Sequence, residues 1–199
     1  MADPKTLLEL AGANLAPGAI SDSVLLLIDC QREYIDGQLP LHGVNDALRD
    51  IGQLTERYRE AGSPIVHVLH RGAQGGLFDR DAQGGQVAPE ATPTVGESII
   101  DKTMPNAFAD TKLEETLKGI GRKNLVVVGF MTHMCVSTTV RAGLDLGYAC
   151  TVIANATATR DLAVPGGGVV DAATVQKSSL AAIADRFAVI VASGSDLPD

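Results

Sequence analysis

The sequence predicts an α/β fold, a three-layer α/β/α sandwich on an open, mainly parallel sheet of five to six strands. Two observations carry this. Short runs of Val, Ile and Leu alternate along the chain with segments of helical period, and the runs are continuously apolar, as strands covered on both faces are. A length of 199 residues with 45% hydrophobic positions suits one sizeable core. A single domain over residues 1–199 is expected, with its core at about 22–192.

The first strand is expected at Val24 to Ile28. A helix follows, with Val44, Ala47, Leu48, Ile51, Leu54 and Tyr58 on one stripe, Asp50, Glu56, Arg57 and Glu60 opposite, and Gly62 as terminator. Pro64 to Leu69 gives the second strand. Gly72 to Pro93 has little periodicity, and so long a loop in a compact domain points to function or mobility. Ser98 to Ile100 forms a weaker strand. Thr111 and Glu114 have capping-box spacing, with Leu113, Leu117 and Ile120 as the apolar face of the helix they open. Asn124 to Val128 and Cys150 to Ala154 are strands, separated by a helix from about Cys135 to Leu146 that stops at Gly147. After a flexible turn at Gly166 to Gly168, a helix from Ala172 to Arg186 and a strand from Phe187 to Val191 close the pattern.

A formal charge of -8 without a dense Lys/Arg run argues against nucleic acid or an anionic membrane as partner. The first residues lack the pattern of a secretion signal, and no apolar run is long enough to span a bilayer. Cys30, Cys135 and Cys150 are odd in number and form no CxxC pair, so all three are read as thiols in a reducing cytoplasm.

Sites in open parallel sheets gather at the carboxyl ends of strands. Asp29 ends the first run, Lys102 follows the weak one, and Cys135 lies just past Leu125 to Val128, so topology brings a carboxylate, an ammonium and a thiol to one edge. A thiol at the turn from strand to helix meets unpaired N–H groups that favour the thiolate, and a nearby lysine adds to that. From a free-thiol pKa of about 8.5, such surroundings are expected to enlarge the nucleophilic fraction. The same N–H groups can receive an oxyanion.

VLLLIDCQREY, DKTMPNAF and GFMTHMCVSTT, in this order and at these separations, resemble the isochorismatase-like cysteine hydrolases, which include nicotinamidases and N-carbamoylsarcosine amidohydrolases. The likeness runs from about Val24 to Val191 and implies that family's Rossmann-like hydrolase fold. It implies Cys135 as nucleophile, Asp29 as general base and Lys102, in K-x-x-x-x-A-F, as their companion. It places a non-proline cis peptide between Phe130 and Met131, and an oxyanion hole on the N–H groups of Met131 and Cys135. Tyr34 matches an aromatic that packs on substrate, and Gln31 a residue that orients the site by hydrogen bonds. Phe108 and His133 are further substrate-binding candidates. Tyr34 and Phe108 read equally well as core packing.

A D-x-H pair with a later histidine, as metal-binding nicotinamidases carry, is missing, and His67 and His70 read as hydrogen-bonded structure, so neither metal nor cofactor is expected. Phe78 could close over a ligand or contact another subunit. Cys30 and Cys150 read as core. The resulting expectation is a cysteine-dependent hydrolase of a small-molecule amide, carbamoyl or ureido C–N bond acting through a thioester. A vinyl ether hydrolase of the isochorismatase type, or a non-enzymatic thiol redox or binding module, are the alternatives. Nucleotide or flavin binding lacks G-x-G-x-x-G and phosphate-loop motifs. The expected partners are a small-molecule substrate and, from the resemblance, a second copy of the chain in a dimer or tetramer.

Overall fold

The computed structural model describes residues 3–199. Its principal sheet has six parallel strands in the order β3-β2-β1-β4-β5-β8. These are β1 (Ser23–Ile28), β2 (Ile65–His70), β3 (Ser98–Lys102), β4 (Asn124–Phe130), β5 (Ala149–Ala158) and β8 (Val189–Val191). Helices α2 (Val44–Glu60), α3 (Leu113–Ile120), α4 (Ser137–Asp145) and α5 (Ala172–Arg186) make the outer layers, and α1 (Leu7–Leu10) is a single turn. A short hairpin, β6 (Leu162–Ala163) with β7 (Val169–Val170), stands apart from the main sheet. No described helix is long and apolar enough to cross a membrane.

Alternation along the central strands divides the core. Leu25, Leu27, Val126, Val128 and Ile153 face α2, where Ala47, Leu48, Ile51 and Leu54 meet them. Val24, Leu26, Ile28, Val66 and Val127 face the opposite layer, with Leu113 and Leu117 of α3, Val140 of α4 and Ile183 of α5. Burying a Leu, Ile or Val side chain stabilises by about 1.5–3 kcal/mol, so each central strand anchors both layers.

Several boundaries differ from expectation. The Thr111 and Glu114 capping box does not form: α3 starts at Leu113 behind Lys112, which makes no side-chain cap bond. The Thr111 hydroxyl instead donates to Ala107 O at 2.6 Å and accepts the Leu113 N–H at 3.2 Å, tying the preceding loop to the helix start. The expected helix from Cys135 divides into a π-helical turn, Thr132–Val136, and α4. Phe187 caps α5 rather than opening a strand. The fifth strand continues past its apolar run to Ala158, because its register against β4 shifts between Val127↔Val152 and Gly129↔Thr157. Such irregularities re-aim a strand end, and here the shift sets Thr157 and Ala158 opposite Gly129 and Phe130 at the end of β4.

Strand order reverses between β1 and β4, where open α/β sheets form their ligand crevice. Gly129 sits opposite Ile28 there, with a φ of 109°. A Cβ on it would lie 2.0 Å from Ile28 O, so only glycine permits the two strand ends to approach this closely.

Candidate active site

Asp29 is the first residue past β1. Its N–H donates to Val68 O at 2.8 Å and its carbonyl accepts the Gln31 N–H at 2.8 Å, which turns the chain sharply at a φ of 51°. Asp tolerates this left-handed conformation better than most residues. Lys102 ends β3, and Cys135 lies in the π-helical turn after β4. Single π turns inside helical segments recur at functional sites. The Met131 carbonyl closes this one, accepting N–H groups of Met134 at 3.0 Å and Val136 at 3.2 Å. The peptide bond from Phe130 to Met131 is cis.

The three chemically reactive side chains meet. Lys102 Nζ lies 2.7 Å from Asp29 Oδ2 and 3.4 Å from Cys135 Sγ. Asp29 is 0% exposed, Lys102 2% and Cys135 5%, so the ion pair is removed from water. The ammonium stands against Oδ2, and Oδ1 has no hydrogen-bond partner. A buried carboxylate with one oxygen unpartnered is placed to accept a proton.

Burial pushes the Asp29 carboxyl above its ordinary value, with the Lys102 charge and the Cys135 thiol pulling the other way. Burial, and next the Asp29 charge, push the Cys135 thiol up to about 12. This corrects the expectation of an enlarged thiolate fraction. The turn is buried beside a carboxylate, and desolvation plus that negative charge outweigh Lys102. At neutral pH the resting sulfur therefore keeps its proton next to a group able to take it.

The substrate-binding candidates divide. Gln31 is buried, and its amide joins three parts of the chain: Oε1 accepts the His70 N–H at 2.8 Å, while Nε2 donates to His70 O at 2.9 Å and Gly85 O at 3.0 Å. These bonds orient the framework behind the site, the role that the resemblance implies for Gln31. Phe108 is partly buried and stacks on Tyr148, with ring centroids 5.8 Å apart, against the core that holds Leu113, Leu117 and Val140. Tyr34 is packed edge-on against Phe78 at 5.1 Å and Phe130 at 5.7 Å, and feels the charges of Asp29 and Cys135, so it forms a buried wall beside them. His133 Nδ1 pairs with Thr159 Oγ1 at 2.6 Å. Burial and then Arg160 hold its pKa below the ordinary value.

The loop 72–93 covers its own chain's site. Arg32 N–H donates to Gln86 O at 2.9 Å, Ala88 N–H to Cys30 O at 2.9 Å, and Gly85 O holds Gln31. Phe78 is carried inward between Tyr34 and His70. The glycine at Gly85 serves close approach rather than mobility, since a Cβ there would lie 2.0 Å from Asp79 O.

Sequence reasoning missed Arg160. It follows the extended end of β5, acts electrostatically on both Tyr34 and His133, and its Nε is buried with no acceptor. Its signal in the sequence is that of the first charge beyond the fifth strand, which runs past the apolar stretch ending at Ala154. Cys30 and Cys150 are buried free thiols, matching their reading as core. His67 is buried on Glu97 at 2.7 Å, and among the described residues no cluster of three His, Cys, Asp or Glu groups is placed to hold a metal.

An open parallel sheet with a Cys-Asp-Lys cluster at its switch point defines a class of α/β hydrolases. The isochorismatase domain family matches residues 23–194, and the chain belongs to that family. A secreted isochorismatase effector, Isc1, of Verticillium dahliae is 40% identical over 185 residues, covering 92% of this chain and 95% of that one. The ureidoacrylate amidohydrolase RutB of Klebsiella pneumoniae is 28% identical over 175 residues, covering 70% and 74%. The crystal structure of an isochorismatase from Pseudomonas putida superposes with a TM-score of 0.94 at 44% identity, covering 98% of this chain and 100% of that one. The family thus supports a hydrolase, and it includes amidohydrolases.

Proposed function

We propose that the protein hydrolyses a C–N bond of a small amide, carbamoyl or ureido compound through a thioester on Cys135. The observation that carries this reading is the buried contact of Lys102 with both the Asp29 carboxylate and the Cys135 sulfur. A thiol held up at about 12 is inert until a neighbouring base removes its proton, and Asp29 is that base.

In this mechanism Asp29 takes the thiol proton as sulfur attacks the carbonyl carbon. The tetrahedral oxyanion rests on N–H groups of Met131 and Cys135. Asp29 returns the proton to the departing nitrogen, and the C–N bond breaks to leave the acyl group on sulfur. Asp29 then draws a proton from water as its oxygen attacks the thioester, and the acid leaves with the thiol restored. Lys102 keeps the carboxylate ionised between these transfers. The unpartnered Nε–H of Arg160 supports a substrate bearing a carbonyl or carboxylate oxygen away from the reacting carbon. We further propose that the chain works as a homo-oligomer in a reducing compartment.

Ammonia release across a panel of small amides, carbamoyl compounds and ureido acids tests this. A hit whose acyl mass appears on native enzyme quenched in turnover is the expected result, and no release from any member contradicts it. The likeness to proteins named isochorismatases favours vinyl ether hydrolysis as the second reading, so isochorismate belongs in the same panel. Its cleavage undiminished in Cys135→Ala would select that reading.

A further inference from the structure

His70 is absent from the mechanism above, yet it touches the centre of the cluster. Its place follows from register: β2 and β3 pair in parallel with His70 opposite Lys102, and the two side chains emerge together at the carboxyl ends. The His70 backbone is held on both sides by the buried amide of Gln31, and the Arg71 N–H donates to Lys102 O at 2.8 Å. Phe78 packs edge-on against the imidazole at 5.1 Å. Thus fixed, His70 Nδ1 lies 3.2 Å from Lys102 Nζ.

An ammonium has three N–H donors and no acceptor. Around Lys102 Nζ stand Asp29 Oδ2 at 2.7 Å, His70 Nδ1 at 3.2 Å and Cys135 Sγ at 3.4 Å, one for each donor. The geometry points to His70 as a positioning residue, a neutral imidazole whose Nδ1 accepts the third Lys102 proton and aims the other two at carboxylate and sulfur. This role fixes the tautomer, since Nδ1 must be bare and Nε2 must carry the hydrogen. The groups facing the ring are Lys102 from β3, Asp29 from the end of β1 and the apolar Phe78 from the covering loop. Burial and then Lys102 keep the His70 pKa below its ordinary value, against Asp29, which preserves the neutral form at neutral pH.

The consequence for turnover rests on the amidase reading, but the contact itself is testable without a substrate. Long-range nitrogen NMR of the native protein, with His70 assigned through His70→Asn, is expected to show the Nε2–H tautomer at neutral pH. The Nδ1–H tautomer would overturn the proposal. A second measurement follows iodoacetamide labelling of Cys135 by peptide mass at pH 8. Asn carries an acceptor near the position of Nδ1, so His70→Asn should label at close to the native rate. His70→Leu, which lets the ammonium leave the sulfur, should slow labelling about tenfold, the effect of raising the thiol pKa by about one unit. Equal rates in all three proteins, or equal loss in both variants, would show that the imidazole does not position Lys102. Failure of the amide panel with these results intact would count against the hydrolysis reading alone.

Discussion

Asp29 raises the sulfur's proton affinity and removes that same proton, and these two effects can be separated. In Asp29→Asn the negative charge beside Cys135 is gone while Lys102 remains, so the thiol pKa falls and labelling of Cys135 by iodoacetamide at pH 8 becomes faster. Amide turnover in the same variant drops by about a hundredfold or more, because no base is left to move protons in the transition state. Slower labelling together with lost turnover would mean that Asp29 favours the thiolate, contrary to the burial seen here. Arg160 is tested by Arg160→Gln, which should raise KM about tenfold or more for substrates with a remote carboxylate and leave kcat within a few-fold, as loss of uniform binding does. Asp29, Lys102 and Cys135 were legible as residues because each follows an apolar run. The surroundings of Phe108 were not, since sequence shows a residue type and its place without showing which partners it meets in the fold.

The elements that carry these residues are held by local devices that sequence periodicity sees unevenly. The stripe on α2 and the runs of β1, β2 and β4 were readable because burial on one or both faces leaves a repeating apolar signature. The end of β5 was not, because Asn155, Thr157 and Thr159 interrupt that signature where the register shift turns the strand toward the site. The segment before β3 shows little periodicity, yet Glu97 fastens its end to the body through His67 at 2.7 Å and Arg59 at 2.7 Å. Burial alone would raise the Glu97 carboxyl, but Arg59, the Thr94 N–H and His67 draw it down from 4.5 to about 2. A depressed carboxyl stabilises the fold above its unfolded value and loses that contribution as pH falls through the folded one. Thermal unfolding followed from pH 6 to 2 should therefore show stability falling below about 4.5, with on the order of 2–3 kcal/mol at stake. Glu97→Gln should start less stable at pH 6 and lose less on acidification. An identical acid slope in both proteins would remove Glu97 from the account.

At the scale of the whole molecule, strand order joins residues remote in sequence. Asp29 follows β1, Cys135 follows β4 directly beside it, and Lys102 ends β3 one strand away across β2, so the parallel order sets all three at the same edge of the sheet. The reversal of order at β1 and β4 opens the crevice, and Gly129 lets the strand ends close on one another. The α/β/α architecture was legible from alternation alone, whereas the closeness of the loop 72–93 was not, because its bonds to Arg32, Gln31 and Cys30 leave no periodic trace. What the assembled molecule does turns on the sulfur. The most direct measurement is ammonia release from the best amide by Cys135→Ala whose circular dichroism and unfolding midpoint match the native protein. Release indistinguishable from buffer is expected, and release within tenfold of the native rate would contradict a covalent role for Cys135.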